Sequence, residues 1–319
     1  MNRVPVAAVK SINIVMVNNS PEDFKCGYVA LVGEPNVGKS TLMNTLIGQN
    51  VSIITHKPQT TRHKILGILS NINYQVVFID TPGLLEPKYL LQSFMMESAK
   101  SAIDDADIVI FMIDVLDPKV NQDHKRIPAF KVLKNICKPT LLVINKVDAI
   151  DKKNALPVID FYSKMYNFKE IFPISAKEGL GTANLLNSIV EKLPIHPPFY
   201  PLDMLSDSNE RFFVEEIIRE KIFEIFREEI PYSTAVQIVE FREQEGKKDF
   251  ISAEIIIERQ SQKGILIGKN GQALKKIGET ARKNIEKFLG REVFLELHVK
   301  VREKWRESET WLKRLGYKK

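Results

Sequence analysis

Short, almost wholly apolar runs alternate with segments of helical periodicity in the first 195 residues. The runs at 28–32, 108–113 and 140–144 are five or six residues long, which is typical of strands buried in a parallel sheet. Helices are predicted at 41–47 and 92–104, a hairpin of two strands at 65–69 and 75–79, and a short strand at 171–174. This pattern predicts an α/β domain with a doubly wound, mostly parallel sheet.

The pattern changes after a proline-rich stretch at 194–201. A capping-box sequence at 207–210 precedes a predicted helix at 211–229. Two strands follow at 234–242 and 250–258, then a short apolar helix, a glycine-containing loop and a longer helix, and an alternating strand at 293–301. We therefore predict a second, α+β domain, with a basic amphipathic helix at 305–317 packed on it.

These patterns divide the chain into four parts. We expect a poorly ordered extension at 1–24, a first domain at 25–195, a linker at 196–208, and a second domain at 209–319. With 319 residues and 44% hydrophobic positions, the chain is long enough for two cores. The apolar stretch at 4–17 is interrupted by Lys10, Ser11 and Asn13 and lacks a small-residue cleavage site, so we do not expect a signal peptide. No apolar run approaches the roughly 18–20 residues of a membrane span.

Charge is distributed unevenly along the chain. From Lys263 onward there are 16 Lys and Arg against 7 Asp and Glu, a net charge of +9, whereas the whole chain carries +6 and the rest therefore −3. This asymmetry favours contact between the C-terminal part and a polyanion; a solvated basic face is the alternative. The two cysteines, Cys26 and Cys137, are far apart and have no metal-ligand neighbours, which suits reduced thiols in a cytosolic protein.

A phosphate-binding motif separates the first strand from the first helix. Residues 33–40, GEPNVGKS, match G-x-x-x-x-G-K-[ST] at every position. The glycines let backbone N–H groups face phosphates at the helix N-terminus, the lysine adds charge, and the serine offers a hydroxyl to Mg²⁺. An ordinary glycine turn is the alternative, and the strand–loop–helix context argues against it. The candidate residues here are Gly33, Glu34, Pro35, Asn36, Val37, Gly38, Lys39, Ser40 and Thr41.

Three further motifs follow predicted strands, at the sheet edge where ligands collect in doubly wound folds. DTPGL at 80–84 begins with a carboxylate suited to Mg²⁺, directly or through water. In NKVD at 145–148, Asp148 can accept hydrogen bonds from guanine N1–H and the 2-amino group, which adenine could not provide. SAK at 175–177 offers a backbone N–H to guanine O6. The candidate residues are Asp80, Thr81, Pro82, Gly83, Leu84, Asn145, Lys146, Val147, Asp148, Ser175, Ala176 and Lys177.

The order of these motifs resembles that of the Ras-like GTPases over about residues 25–193. The resemblance implies Mg²⁺-dependent GTP hydrolysis, with a threonine of the loop at 56–63 completing the metal shell. Thr60 and Thr61 both fit; we choose Thr61 because it aligns with the single threonine before arginine in related GTPases. The resemblance implies that Ser40, Thr61 and Asp80 bind Mg²⁺.

Two positions depart from the Ras pattern. Leu84 stands where Ras-like enzymes carry a water-positioning glutamine, and a leucine cannot orient water. Asn36 resembles the asparagine with which translation-factor-related GTPases hold K⁺ beside the phosphates, although a turn residue is the alternative. The resemblance therefore implies that Lys39, Thr61 and Asn36 act in catalysis, with Asn36 as a ligand of K⁺.

The C-terminal glycine loop, GKNG at 268–271, joins the two predicted helices of the second domain. With its flanking helices and final strand, it resembles the G-x-x-G loop of a type II KH domain, which clamps about four nucleotides. A bare G-x-x-G is weak evidence, and the neighbouring lysines strengthen it. The candidate RNA-binding residues are Lys263, Gly268, Lys269, Asn270, Gly271, Lys275 and Lys276.

A potassium-type GTPase followed by a type II KH domain is the layout of the Era family of bacterial GTPases, which the chain resembles from residue 25 to 319. The resemblance implies a GTP/GDP switch that binds the 3′ end of 16S rRNA and acts in 16S rRNA processing and assembly of the 30S ribosomal subunit. It implies a cytoplasmic monomer with some peripheral association with the inner membrane. The alternatives are a signalling or cell-cycle GTPase with a protein partner, and an RNA-binding module in which nucleotide only stabilises the fold.

Overall fold

The computed structural model describes residues 23–116 and 128–317. The predicted extension at 1–24 therefore lies almost entirely outside the described residues. The chain divides into two compact units: the first contains residues up to 52, 61–87 and 95–207, and the second contains 53–60, 88–94 and 208–319. No helix among the described residues is long and apolar enough to cross a membrane.

The first unit is built on a six-stranded sheet of order β2-β3-β1-β4-β5-β6. Only the β2–β3 hairpin is antiparallel, and the other neighbours are parallel. This confirms the predicted doubly wound, mostly parallel sheet. The strands are β1 (Lys25–Gly33), β2 (Ile65–Ser70), β3 (Tyr74–Asp80), β4 (Ile108–Asp114), β5 (Thr140–Asn145) and β6 (Glu170–Pro173).

Helices complete the first unit and share its apolar core with the central strands. One of them, α4, was not indicated by the sequence pattern, because it contains Pro157, which removes a helical hydrogen bond and usually marks a break. The helices are α1 (Lys39–Ile47), α2 (Leu90–Asp105), α3 (Pro128–Leu133), α4 (Lys152–Ser163) and α5 (Thr182–Lys192).

The proline-rich segment after α5 is fastened to the first unit by the buried side chain of Gln75. Its Oε1 accepts hydrogen bonds from the backbone N–H of Phe199 (2.8 Å) and Tyr200 (3.0 Å), and its Nε2 donates to Tyr200 O (2.9 Å). Further along, Ile68 N–H donates to Leu205 O (2.8 Å). The segment predicted as a linker is thus held against the sheet by its own hydrogen bonds.

The second unit combines a three-stranded sheet of order β7-β8-β9 with helices that pack on its apolar side. The β7–β8 pair is antiparallel and the β8–β9 pair is parallel. This confirms the predicted α+β fold. The elements are α6 (Glu210–Ile225), α7 (Glu229–Ser233), β7 (Ala235–Arg242), β8 (Asp249–Ile257), α8 (Gln260–Ile267), α9 (Gln272–Leu289), β9 (Val293–Val301) and α10 (Glu309–Arg314).

The predicted bounds of α6 were wrong at both ends. Asn209 is the N-cap, and its side chain accepts a hydrogen bond from Phe212 N–H (2.9 Å), so the helix begins at Glu210. It ends at Ile225 rather than at 229. A continuous helix would set the ring of Pro231 against the carbonyl of Arg227, and the break allows Pro231 to lie in the first turn of α7 instead.

The predicted C-terminal helix at 305–317 is two elements. A 3-10 turn at Trp305–Glu307 is followed by α10, because Ser308 caps the new helix by accepting a hydrogen bond from Trp311 N–H (3.4 Å). Trp305 and Leu312 are fully buried, and Trp305 Nε1 donates to Ser233 O (2.9 Å). This end of the chain packs on its own unit, as predicted.

A partly buried carboxylate stabilises an irregularity in the small sheet. Glu215 Oε1 accepts a hydrogen bond from Ile238 N–H (2.7 Å), next to the bulge between Ile238 and Glu240. Burial raises the pKa of Glu215 to about 7; the bond from Ile238 opposes this shift and nearby Glu216 adds to it. The folded state therefore binds this proton more tightly than the unfolded chain does.

We expect the Glu215→Gln variant to change how stability depends on pH. A raised carboxyl pKa means that this group's contribution to stability falls as pH rises from about 4.5 to about 7. Glutamine keeps an oxygen for Ile238 N–H but does not ionise. The free energy of unfolding of the variant minus that of the wild type should therefore increase by about 2 kcal/mol between pH 4.5 and pH 8. Urea unfolding at a series of pH values measures this. Glu245→Gln, at an exposed turn position, is the control, and parallel pH profiles for wild type and Glu215→Gln would contradict the assignment.

Candidate nucleotide and nucleic-acid sites

The phosphate loop between β1 and α1 depends on two glycines with positive φ. Gly33 has φ 155° and Gly38, the N-cap of α1, has φ 99°. A Cβ on Gly33 would lie 2.3 Å from Met112 O, and one on Gly38 would lie 2.2 Å from Asn145 Nδ2. A side chain at either position would therefore push the loop away from β4 and β5.

Lys39 is buried beside this loop. Its Nζ donates hydrogen bonds to Glu34 O (2.9 Å) and Gly33 O (3.3 Å). Burial lowers the pKa of Lys39 to about 8, while the charges of Asp80 and Glu34 oppose the shift. Because a buried ammonium is poorly solvated, a phosphate brought to the loop would be a strong partner for it.

The carboxylate of Asp80, at the end of β3, is the centre of a cluster of hydroxyl groups. Asp80 is fully buried, and its Oδ2 accepts hydrogen bonds from Ser40 Oγ (2.5 Å), Ser52 Oγ (2.9 Å) and Thr61 Oγ1 (3.3 Å). Ser40 Oγ and Thr61 Oγ1 are 3.0 Å apart. Burial raises the pKa of Asp80, and the charge of Lys39 opposes that shift. Asp80 Oδ1 is buried without a hydrogen-bond partner among the described residues, so the cluster has the hard oxygen donors that Mg²⁺ prefers.

The two candidate threonines lie in different surroundings. Thr61 Oγ1 belongs to the Asp80 cluster. Thr60 Oγ1 instead donates to Lys57 O (2.7 Å) and lies 2.6 Å from Thr55 Oγ1. The structure thus brings Thr61, and not Thr60, next to Ser40.

The segment at 80–84 packs directly on the phosphate loop. Leu84 N–H donates to Gly33 O (2.9 Å), and Thr81 Oγ1 donates to Leu31 O (2.6 Å). A Cβ on Gly83 would lie 2.5 Å from Pro35 N, so the two loops meet closely only because this residue is glycine. The Leu84 side chain is buried in the core, so it has no position from which to orient a water molecule.

The asparagine of the NKVD motif ties the phosphate loop to the SAK segment. Asn145 is 3% exposed, its Nδ2 donates to Val37 O (2.8 Å), and its Oδ1 accepts from Ala176 N–H (2.8 Å). Lys146 has a left-handed backbone and forms an ion pair with Asp114. The predicted base-reading residues therefore lie around one edge of the sheet, with Asp148 exposed in the 3-10 turn that follows β5.

Two residues that no motif indicated support the Asp80 cluster. Asn44 Oδ1 accepts from the N–H groups of Val51 and Ser52 (3.0 Å each), and its Nδ2 donates to Ser52 O (2.7 Å). This fixes the backbone from which Ser52 reaches Asp80. Nothing in the sequence pairs Ser52 with Asp80, 28 positions away, because only the fold brings them together.

The glycine loop of the second unit connects α8 to α9. Gly268 and Gly271 have φ of 71° and 76°, and Asn270 has φ 51°. A Cβ on Gly268 would lie 2.8 Å from Ala273 Cβ. At the loop Lys269 and Asn270 are exposed. Lys275 and Lys276 are exposed on α9, and Lys263 is half-buried on α8. A surface cavity of about 510 Å³ lies beside the loop and includes Gly271 and Lys275 in its lining.

Comparison with known protein families gives a separate match for each of the two units. Residues 28–146 match a family model described as a 50S ribosome-binding GTPase, and residues 229–306 match the KH domain model. The fold and its two sites define a P-loop GTPase with a C-terminal KH domain.

Relatives match along nearly the whole chain. GTPase Era of Clostridium botulinum (strain Eklund 17B / Type B) is 44% identical over 296 residues, which cover 93% of this chain and 99% of that protein. The chloroplastic GTPase ERA1 of Zea mays is 45% identical over 294 residues, covering 92% and 70% respectively. The chain belongs to the Era family of GTPases and is a GTP-hydrolysing enzyme.

Two solved structures superpose closely on the chain. A variant of Aquifex aeolicus Era bound to GDP·AlF4⁻ has a TM-score of 0.87 at 42% identity and covers 92% of this chain and 99% of its own. A structure of Era in complex with MgGDPNP and nucleotides 1506–1542 of 16S ribosomal RNA has the same TM-score and coverage at 43% identity. Such similarity extends over both units.

We expect the Ser52→Ala variant to need more magnesium. Losing the Ser52 hydroxyl removes one of the three donors that favour the charged form of Asp80, and hydrogen bonds to charged groups are typically worth about 1.5–3 kcal/mol. The Mg²⁺ concentration for half-maximal GTP hydrolysis should rise by about tenfold.

The matched control is Ser188→Ala. Ser188 is also buried and also donates to a carboxylate, Glu170 Oε1 (2.9 Å), but it lies on α5, outside the Asp80 cluster. Its Mg²⁺ requirement should equal that of the wild type. An unchanged Mg²⁺ requirement in Ser52→Ala would mean that this hydroxyl only fills space.

Proposed function

We propose that the protein is a GTP-dependent switch that binds the 3′ end of 16S rRNA through its KH domain and acts in 16S rRNA processing and assembly of the 30S subunit. The observation that carries this proposal is the exposed Lys269–Asn270 tip between two positive-φ glycines, in a chain that is similar over both units to Era in complex with 16S rRNA. A loop without bulky side chains can approach a nucleic-acid backbone, and the lysines attract phosphate.

The residues around Asp80 fit a magnesium–nucleotide complex. Ser40 and Thr61 would hold Mg²⁺, and Asp80 would hold it directly or through water, because their oxygens converge and one carboxylate oxygen has no hydrogen-bond partner among the described residues. When bound, Mg²⁺ neutralises charge that develops on the β- and γ-phosphates. Lys39 binds the same phosphates from its buried position, and the carboxylate of Asp148 accepts hydrogen bonds from guanine.

Asn36 is proposed as a ligand of K⁺. It lies exposed in the phosphate loop with φ 64°, and a cation held there would place charge beside the phosphates where an arginine finger acts in other GTPases. GTP hydrolysis should be at least tenfold faster in K⁺ than in Na⁺ at equal ionic strength, and Asn36→Ala should remove the difference. Equal rates in both salts would exclude this role.

The loop at 56–63, here called the threonine loop, is proposed as the link between nucleotide and RNA. The chain passes from the second unit to the first between Thr60 and Thr61. On the second-unit side, Lys57 Nζ donates to the carbonyls of Phe223 and Phe226 at the end of α6, while Thr61 joins the Asp80 cluster. A GTP-bound state that fixes Thr61 would therefore act on a segment anchored to α6. GTP and GDP change the conformation of this segment only if they bind its alternative conformations with different affinity.

We expect the protein in the cytoplasm, acting as a monomer, with peripheral association with the cytoplasmic face of the inner membrane. This part of the proposal rests on membership of the Era family alone. Sedimentation of cell extracts tests it: the protein should travel with small ribosomal subunits, with a minor fraction in washed membranes. A protein found entirely with intact membranes would contradict it.

The KH role is tested by the double variant Lys269→Ala, Lys275→Ala. Both side chains are exposed at the glycine loop, so the loss of two phosphate contacts should weaken binding to RNA of 16S nucleotides 1506–1542. The slope of log K against log[salt] should become less steep by about 1.4–1.8. The matched control is Lys287→Ala, Lys300→Ala, at exposed positions on α9 and β9 outside the loop. GTP hydrolysis without RNA should stay normal in all variants. RNA binding that is unaffected by the loop change would favour a protein partner instead.

A further inference from the structure

We propose that Thr45 is a positioning residue for the recognition of guanine, and that it acts through the backbone of the SAK segment. Its hydroxyl holds the peptide between Ala176 and Lys177 in the orientation from which the Lys177 N–H donates to guanine O6. The inference rests on the proposed nucleotide site and assigns to it a residue that belongs to none of the GTPase motifs.

Thr45 lies on α1, the helix that begins at the phosphate loop, and contacts a segment far away in the sequence. Its Oγ1 donates a hydrogen bond to Ala176 O (2.7 Å), across 131 positions. Threonine hydroxyls inside helices commonly bond a carbonyl of the preceding turn instead. Because a hydroxyl has one proton, the bond to Ala176 takes the place of such a local bond. The side chain thus joins the helix of the phosphate loop to the SAK segment.

The bond from Thr45 sets the direction of the next backbone N–H group. The Ala176 carbonyl and the Lys177 N–H belong to one planar trans peptide unit, in which the two groups point in opposite directions. The carbonyl points to α1, so the N–H points away from it. This N–H has no hydrogen-bond partner among the described residues. It is therefore available to an acceptor atom on a ligand.

The preceding N–H groups of the SAK segment are already engaged. Ala176 N–H donates to Asn145 Oδ1 (2.8 Å), and Ser175 N–H donates to Leu180 O (3.0 Å). These bonds fix the start of the turn and close it, but they do not fix the peptide that follows Ala176. The orientation of that peptide depends on the Thr45 hydroxyl.

Guanine and adenine differ at the atom that the Lys177 N–H would meet. Guanine O6 accepts a hydrogen bond, whereas the 6-amino group of adenine is a donor, so an N–H fixed at this place favours guanine. The proposed contacts of Asp148 involve N1–H and the 2-amino group, which are different atoms of the base. Loss of the Thr45 hydroxyl should therefore weaken recognition of O6 and leave recognition of the 2-amino group intact.

The first experiment measures the dissociation constants of three nucleotides for wild type and Thr45→Val in the full chain. Valine keeps the shape of threonine but has no hydroxyl. The probes are GDP, 6-thio-GDP, in which a weakly accepting sulfur replaces O6, and IDP, which lacks the 2-amino group. Wild type should prefer GDP to 6-thio-GDP about tenfold, and Thr45→Val should reduce this preference to about threefold or less. The preference for GDP over IDP should be the same in both proteins.

Thr45→Ser and Thr140→Val are the controls. Serine keeps the hydroxyl and should preserve the wild-type preference. Thr140 Oγ1 also donates to a backbone carbonyl, that of Lys138 (3.0 Å), but Thr140 begins β5, whereas the motif residue Asn145 ends it. Thr140→Val should leave both preferences unchanged. Because nucleotides are compared on one protein, a general loss of stability would affect all three alike.

The second experiment separates recognition of the base from the chemical step. A contact to the base is made alike in bound GTP and in the transition state, so its loss should raise KM and leave kcat unchanged. For Thr45→Val we expect a KM for GTP about three- to tenfold higher, with kcat within about twofold of the wild type. A lower kcat at unchanged KM would mean that Thr45 acts on the phosphates through α1, which contradicts the proposed role.

The outcomes distinguish the residue from the site. Equal binding of GDP and 6-thio-GDP by the wild type would contradict the contact between the SAK segment and O6, and with it the role of Thr45. A wild type that discriminates, with a Thr45→Val variant that discriminates equally well, would overturn only the role of Thr45. A variant that loses its preferences against 6-thio-GDP and IDP to the same extent would also overturn it, because the effect would then not be confined to O6.

Discussion

A carboxylate with no exposure to solvent is costly to keep charged, and Asp80 is such a group. It is held by three hydroxyls, which come from the start of α1, from the segment after it and from the threonine loop. These segments meet because β3 lies beside β1 in the sheet, so that the ends of both strands open at the same edge. The arrangement of the nucleotide site follows from the need to surround this one carboxylate.

Glycines allow the loops around this carboxylate to come into contact with one another. Gly38 leaves room for the Asn145 amide, and that amide bonds both to the phosphate loop and to Ala176. Gly83 leaves room for Pro35. Each loop is thus positioned by contact with a neighbouring segment of the same candidate site. A change at the phosphates should therefore alter the position of Thr61, whose hydroxyl contacts both Ser40 and Asp80. The chain continues from Thr61 into the second unit at Thr60.

The sequence predicted the features that depend on local pattern. Buried strands, the glycine-lysine-serine loop and the motifs at the strand ends are encoded within a few neighbouring residues, and the fold class was confirmed. The break after α6 was missed because the helical periodicity continues up to 229, whereas Glu228 takes a positive φ and a second short helix with Pro231 in its first turn follows. The roles of Ser52 and Gln75 could not be predicted, because their partners are distant in sequence and are set by the fold. That Thr61 is a ligand of Mg²⁺ and Asn36 a ligand of K⁺ stays a prediction.

We propose that the nucleotide at the Asp80 cluster controls the RNA affinity of the KH domain. The most direct measurement is the dissociation constant for RNA of 16S nucleotides 1506–1542, at fixed salt and saturating Mg²⁺, with a non-hydrolysable GTP analogue and with GDP. We expect affinities that differ by at least fivefold, which is about 1 kcal/mol of coupling. Equal affinities in the two states, with both nucleotides shown to be bound, would contradict it.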